Sequence, residues 1–292
     1  MCERHSTPEV AVVPAPGQAV NSRDHRCTSE IGGTPDASGR FPYTLRIAVF
    51  IAPPENNVYV DRWPVAGGGF QHQRIVCEAA PEPVLVRAFA AMQDSVNTYW
   101  NDKLFLDSRS PNVRGLSCRI ELRKVDTAAE ANLSITLLHR YTSPTPTDFR
   151  DFCMPGGSPV ELERGEMVLA YPGTVYRARQ PVRSPATSDQ RAFNITFQNR
   201  RTSDAGSVDI TQNVFAHELG HFLTLDHTCA HLVNAAGGNG SPAYCDGRAR
   251  VRQEFLMSYG TNMHRNYARL WWSRLERHHY HCERTFRRRL VA

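Results

Sequence analysis

HELGHFLTLDH, residues His217 to His227, crowds three histidines and a glutamate into eleven positions. If the stretch begins as a helix, His217 and His221 fall on one face about a turn apart, where both rings reach one ion. Glu218 sits one step round the helix, badly placed as a third ligand on that face but able to reach a water held by the metal. His227 follows His221 by six residues, so the chain must leave the helix and turn back. Three protein ligands and one open position is the arrangement of a catalytic zinc, whereas structural sites are closed by four. Histidines that merely pack a core are the ordinary alternative. The joint spacing of all three with Glu218 disfavours it.

A second signal lies downstream in Phe255-Leu256-Met257-Ser258-Tyr259-Gly260. With it the chain resembles the metzincin clan of zinc endopeptidases. Their motif, H-E-x-x-H-x-x-G-x-x-H, is followed some tens of residues later by a tight turn holding a methionine. The resemblance implies Zn2+ as cofactor, His217, His221 and His227 as its ligands, and Glu218 as general base. It makes Met257, thirty residues past His227, the structural methionine beneath the metal. Tyr259 matches a tyrosine that in some of these families touches the zinc or steadies the transition state.

One position departs from the pattern. The motif's glycine is Thr224 here. Glycine belongs there because the chain turns out of the helix with positive φ, which a β-branched residue tolerates poorly. Either the turn is built differently or Thr224 carries strain, and Asp226 and His231 stand as replacement ligands to consider. Thr228, just after the third histidine, matches no large subfamily, so the subfamily stays open.

At 41% hydrophobic and 22% charged residues over 292 positions, the chain has enough apolar side chains for a substantial core. No apolar run approaches the length of about eighteen needed for a transmembrane helix. The first twenty residues carry Glu3 and Arg4 and a proline-broken apolar stretch, with no recognisable signal peptide. A secreted protein or a delivered effector is the favoured destination. Eight cysteines are spread without a C-x-x-C pair, which excludes a zinc ribbon and leaves a disulfide framework open. Cys229 and Cys245 bracket the glycine-rich segment 235–240 and are expected to pair if the protein matures in an oxidising compartment. Cys27 resembles, loosely, the zinc-capping cysteine of matrix-type prosegments; a cysteine in a flexible leader is the ordinary reading.

Residues 1–41, rich in Pro, Gly and Ser, read as a flexible leader or prosegment, and 42–292 as the zinc metallopeptidase catalytic domain. The apolar run 44–52 suits a buried strand, and 53–80 a long loop around Gly67-Gly68-Gly69. From Pro83, Leu85, Phe89, Met92, Val96 and Tyr99 recur at helical spacing. Strand-like stretches follow at 118–126, 132–139, 165–171 and 193–198, and Asp209 or Thr211 offers an N-cap for the motif helix. The resemblance implies an α/β (α+β) metzincin-like domain: a mixed five-stranded twisted sheet with a backing helix, an active-site helix and a C-terminal helix. It also implies an antiparallel edge strand above the cleft that pairs with a peptide substrate, for which 165–171 is the candidate.

The last 32 residues hold eight arginines against two glutamates, so the chain's net charge of +5 resides there. Tyr267, Trp271, Leu275, His278, Cys282, Phe286 and Leu290 recur every three or four residues, predicting one amphipathic helix. A packing helix with a basic solvated face is the ordinary reading, and an anionic partner the alternative. His278, His281 and Cys282 are weighed as a second metal site against the same packing role.

The sequence reading is therefore a zinc-dependent endopeptidase acting on protein or peptide substrates. Its rivals are a zinc-stabilised binding protein or effector working through the basic C-terminal helix, and a hydrolase of some other amide.

Overall fold

The computed structural model describes residues 27–64, 70–108, 115–139, 165–171, 193–199, 208–225, 255–257, 261–278 and 286–290. In chain order the strands and helices begin with β1 (Thr28–Ile31), β2 (Phe41–Ala52), β3 (Val58–Pro64), β4 (Phe70–Val76) and α1 (Glu82–Tyr99). Next come β5 (Leu104–Ser108), β6 (Leu116–Lys124), β7 (Leu133–His139), β8 (Glu166–Tyr171), β9 (Asn194–Asn199) and β10 (Val208–Asn213). The described residues close with α2 (Val214–Phe222), α3 (Arg269–His278) and β11 (Phe286–Leu290).

The apolar run 44–52 becomes the middle of β2, the strand around which the sheet is organised. Tyr43, Leu45, Ile47, Val49 and Ile51 alternate onto one face and are all buried. β6 lies parallel on one side of β2; β7 lies parallel on the other, beside its last residues, with β8 parallel beyond it. β5 joins β6 antiparallel. These five strands form a curled mixed sheet, a half-barrel, accompanied among the described residues by three helices. β1 runs antiparallel along the first half of β2, and β11 extends the far edge beyond β5.

α1 follows the predicted stripe. Pro81 caps it, Pro83 falls in its first turn, and Val84, Leu85, Ala88, Met92, Val96 and Tyr99 are buried. The helix packs on β2 and β6 and against α2.

Four expectations change. Residues 53–80 hold a hairpin, β3 with β4, rather than a long loop. Ile75 and Cys77 at its end pack with Leu138 and Val168, residues on the face of β7 and β8 opposite Leu137 and Leu169. The polar Gln71-His72-Gln73-Arg74 run disguised that strand. The segment 165–171 forms β8, at an edge of the sheet among the described residues, but parallel to β7 rather than antiparallel.

The C-terminal amphipathic helix ends at His278, and Phe286–Leu290, with the arginine run 287–289, is β11. Its register sets Arg287 opposite Asp107 and Arg289 opposite Phe105 on β5. As a strand the segment pairs backbone groups of β5 that a helix would leave exposed at the edge. Of the predicted flexible leader, residues 27–40 instead carry β1 and its connection to β2. Cys27 is 2% exposed, and Arg274 of α3 donates from Nη1 to its carbonyl at 2.8 Å. Cys27, Cys77 and Cys118 are buried as thiols, and burial pushes the latter two up in pKa. Low thiolate content suits packing rather than reactivity.

The connection between β1 and β2 is pinned by Asp36. Its Oδ1 accepts from Ser38 Oγ (2.6 Å) and from the Ser38 and Arg40 amides (2.8 and 3.1 Å), while Oδ2 accepts from Ser117 Oγ on β6 at 2.6 Å. Burial opposes ionisation, but these bonds outweigh it and hold the carboxyl well below its usual range. A depressed carboxyl stabilises the fold fully above its unfolded-state pKa, and that contribution is lost as pH falls toward the folded value. Replacing Asp36 by Asn should therefore lower stability at neutral pH and flatten the acid side of the stability curve, read as Tm between pH 2 and 7. An acid limb as steep as the parent's would show that Asp36 is not its source.

Candidate metal centre

β10 runs directly into α2, and the cap is Asn213, not Asp209 or Thr211. Those two stay in the β9–β10 ladder, whose register continues to Asn213 opposite Asn194. Asn213 Oδ1 accepts from the Ala216 amide at 2.8 Å, and its Nδ2 donates to Asn194 Oδ1 (2.8 Å) and Ser95 Oγ (3.1 Å). At nine residues α2 is too short to hold itself together, so packing must do so. Every residue of it is buried except His221, which is partly so.

The structure brings His217 and His221, two of the predicted ligands, side by side. The His217 and His221 rings stand edge to face, centroids 4.8 Å apart, with the two Nε2 atoms 3.1 Å from each other. Each ring is fixed from behind by a main-chain carbonyl. His217 Nδ1 donates to Leu256 O at 2.6 Å, and His221 Nδ1 donates to Leu225 O at 2.7 Å. Carbonyls only accept, so both rings carry their proton on Nδ1 and turn Nε2 lone pairs toward a common point. Two such lone pairs repel, and a cation between them removes the repulsion. With Zn–N bonds of about 2.0–2.1 Å at the tetrahedral angle, the nitrogens would lie about 3.3 Å apart. The pair fits a zinc ion.

Thr224 resolves the question raised by the missing glycine. It has φ of +76°. Its amide donates to His221 O and the Leu225 amide to Gly220 O, both at 2.8 Å, which together make a Schellman turn. The turn is thus the one glycine would build, and Thr224 carries the strain. That turn places the Leu225 carbonyl on His221. Arg269 of α3 donates from Nη2 to the Thr224 carbonyl at 3.1 Å, a cation at the helix's C-terminal end.

Met257 is fully buried beneath α2. A Cβ placed on Gly220 would collide with Met257 Sδ and lie 3.3 Å from Trp100 Cζ2, so any larger residue there would require Met257 to shift. The Met257 amide donates to Tyr267 Oη at 3.1 Å and the Leu256 amide to Asn262 O at 2.7 Å, fixing the turn. Trp100 Nε1 donates to Ala216 O at 3.1 Å from the end of α1. Gly220, Trp100, Tyr267 and Asn213 went unremarked in the sequence as parts of this site. The small residue inside HELGH was the one visible signal.

Glu218 is 6% exposed, and burial raises its pKa to about 8. A neighbouring cation favours the ionised form. Among the described residues no group of three His, Cys, Asp or Glu side chains gathers. The predicted third ligand His227, its rivals Asp226 and His231, and Tyr259, Cys229 and Cys245 lie outside the described residues, as do His281 and Cys282. Cys27 is buried in the main core cluster. No family model, curated protein or solved structure matches this chain.

Two substitutions test this architecture. Thr224→Gly should relieve a left-handed strain of about 1–3 kcal/mol, less about 0.5–1 kcal/mol of added chain entropy. Thermal melting should then rise by about 2–4 °C; a fall would mean that the threonine is not strained. Gly220→Ala should cost about 1–3 kcal/mol through overpacking against Met257 and Trp100. Chemical denaturation reads that loss directly, and an unchanged midpoint would contradict the close approach.

Proposed function

We propose that this chain is a zinc-dependent endopeptidase of metzincin type, acting on protein or peptide substrates. The observation that carries the reading is the converging Nε2 pair of His217 and His221, with buried Glu218 next in the chain and Met257 packed beneath the same helix. The family spacing supplies His227 as the third ligand.

Zn2+, when bound, is the Lewis acid that polarises the scissile carbonyl and acidifies a water. The protein's own part begins with the two carbonyl-anchored rings, which hold their Nε2 atoms ready and need no reorganisation to bind. Glu218, held at low polarity where its affinity for protons is raised, takes the proton from the attacking water and passes it to the leaving amine. Tyr259, by family resemblance, steadies the developing oxyanion. Among the described residues β8 pairs with β7 alone, so its outer edge is where an extended peptide backbone would add. A structural zinc has no use for a buried glutamate at this position, which weighs against a binding module that works through the arginines of β11.

Glu218→Ala should keep one zinc per chain, by elemental analysis, and lose about 10²–10⁴ in the rate of peptide-library cleavage. Full activity in that variant, together with loss in an Arg287, Arg288 and Arg289→Ser variant, would sink the enzyme reading and make the basic strand the working surface.

A further inference from the structure

Gln212 is the last residue but one of β10, five positions before His217, and its side chain is fully buried. A primary amide so placed costs free energy unless it is hydrogen-bonded. Its amide nitrogen lies 2.9 Å from His217 Nδ1, the atom that also faces Leu256 O at 2.6 Å. One ring nitrogen bears at most one proton. If Nδ1 lacked it, the lone pair would confront the Leu256 carbonyl; if Nδ1 bears it, the amide serves the ring by turning Oε1, not NH2, toward it. The second arrangement gives the Nδ1–H two acceptors, the Leu256 carbonyl and the Gln212 amide oxygen.

We propose that Gln212 is a positioning residue of the metal site, a second acceptor that fixes the His217 ring and strengthens Nε2 as a ligand. Helix capping does not explain it, because Asn213 already fills that role. Its backbone position is held by the β9–β10 register, with Gln212 opposite Ile195. His217 is thereby braced from a strand on one side and from the methionine turn on the other. Partners of this kind are typically worth 10–100-fold in metal affinity.

The proposal rests on the zinc reading above, and the test separates the two. Zinc affinity of the full chain is measured by competition with a chromophoric chelator, beside the melting temperature of the metal-free protein. Gln212→Met conserves volume without the amide, and Gln212→Asn withdraws the amide by one methylene. Each should weaken zinc binding about 10–100-fold while the metal-free fold persists. If the methionine variant fails to fold, the asparagine variant decides. Parental affinity in a folded variant overturns the assignment of Gln212 and leaves the zinc site standing. A parent chain that takes up no zinc ends both.

Discussion

Two hydrogen bonds from histidine to main chain govern the candidate site. The ring protons of His217 and His221 go to the carbonyls of Leu256 and Leu225, and each carbonyl is itself delivered by a turn. One turn holds the methionine; the other reverses the chain after α2. Because carbonyls are acceptors only, they fix the tautomer as well as the orientation, and so they decide which nitrogen each ring turns toward the other. Much of the described core then reads as support for those turns. Tyr267 and Asn262 hold the first, Arg269 leans on the second, and Trp100 anchors the helix between them.

This arrangement balances strain against fit. Thr224 occupies a left-handed conformation that a β-branched residue resists, yet the Schellman bonds and the Arg269 contact hold it there. Gly220 shows the reverse. Its missing side chain is the space that Met257 fills, so the fold gains a close contact where a larger residue would force helix and turn apart. Glu218 adds a third cost, a carboxyl shut away from water. All three fall within seven residues of one helix and its turn, where stability is given up for geometry.

The parts of this architecture that are local were legible in the sequence. The α1 stripe, the strand at 44–52 and the 217/221 pair each announce themselves by spacing within a few residues. What was missed depends on distant partners. Asn213 caps because the β9 ladder keeps Asp209 and Thr211 in register; no local preference separates the three. The strand β11 contains apolar residues that continue a helical period, and only the exposed edge of β5 selects the extended form. The hairpin β3–β4 hides behind polar side chains, since what it covers lies some sixty to ninety residues onward in β7 and β8. Likewise Gln212 reads as one more polar strand residue until the ring beside it is placed.

The bond from Arg274 to the carbonyl of Cys27 joins residues 247 positions apart, and β11 closes on β5 across a comparable span. On a ribosome this separation becomes time. The motif helix emerges first; Leu256, Tyr267 and Arg269 follow, and Arg274 and β11 later still. At synthesis rates of about 5–20 residues per second, the histidines precede the last of these braces by several seconds. During the first part of that interval a nascent chain has the two histidines without the Leu256 carbonyl that aims His217. The paired geometry of the two rings thus forms only after the residues that brace it, well downstream in the chain, have been made.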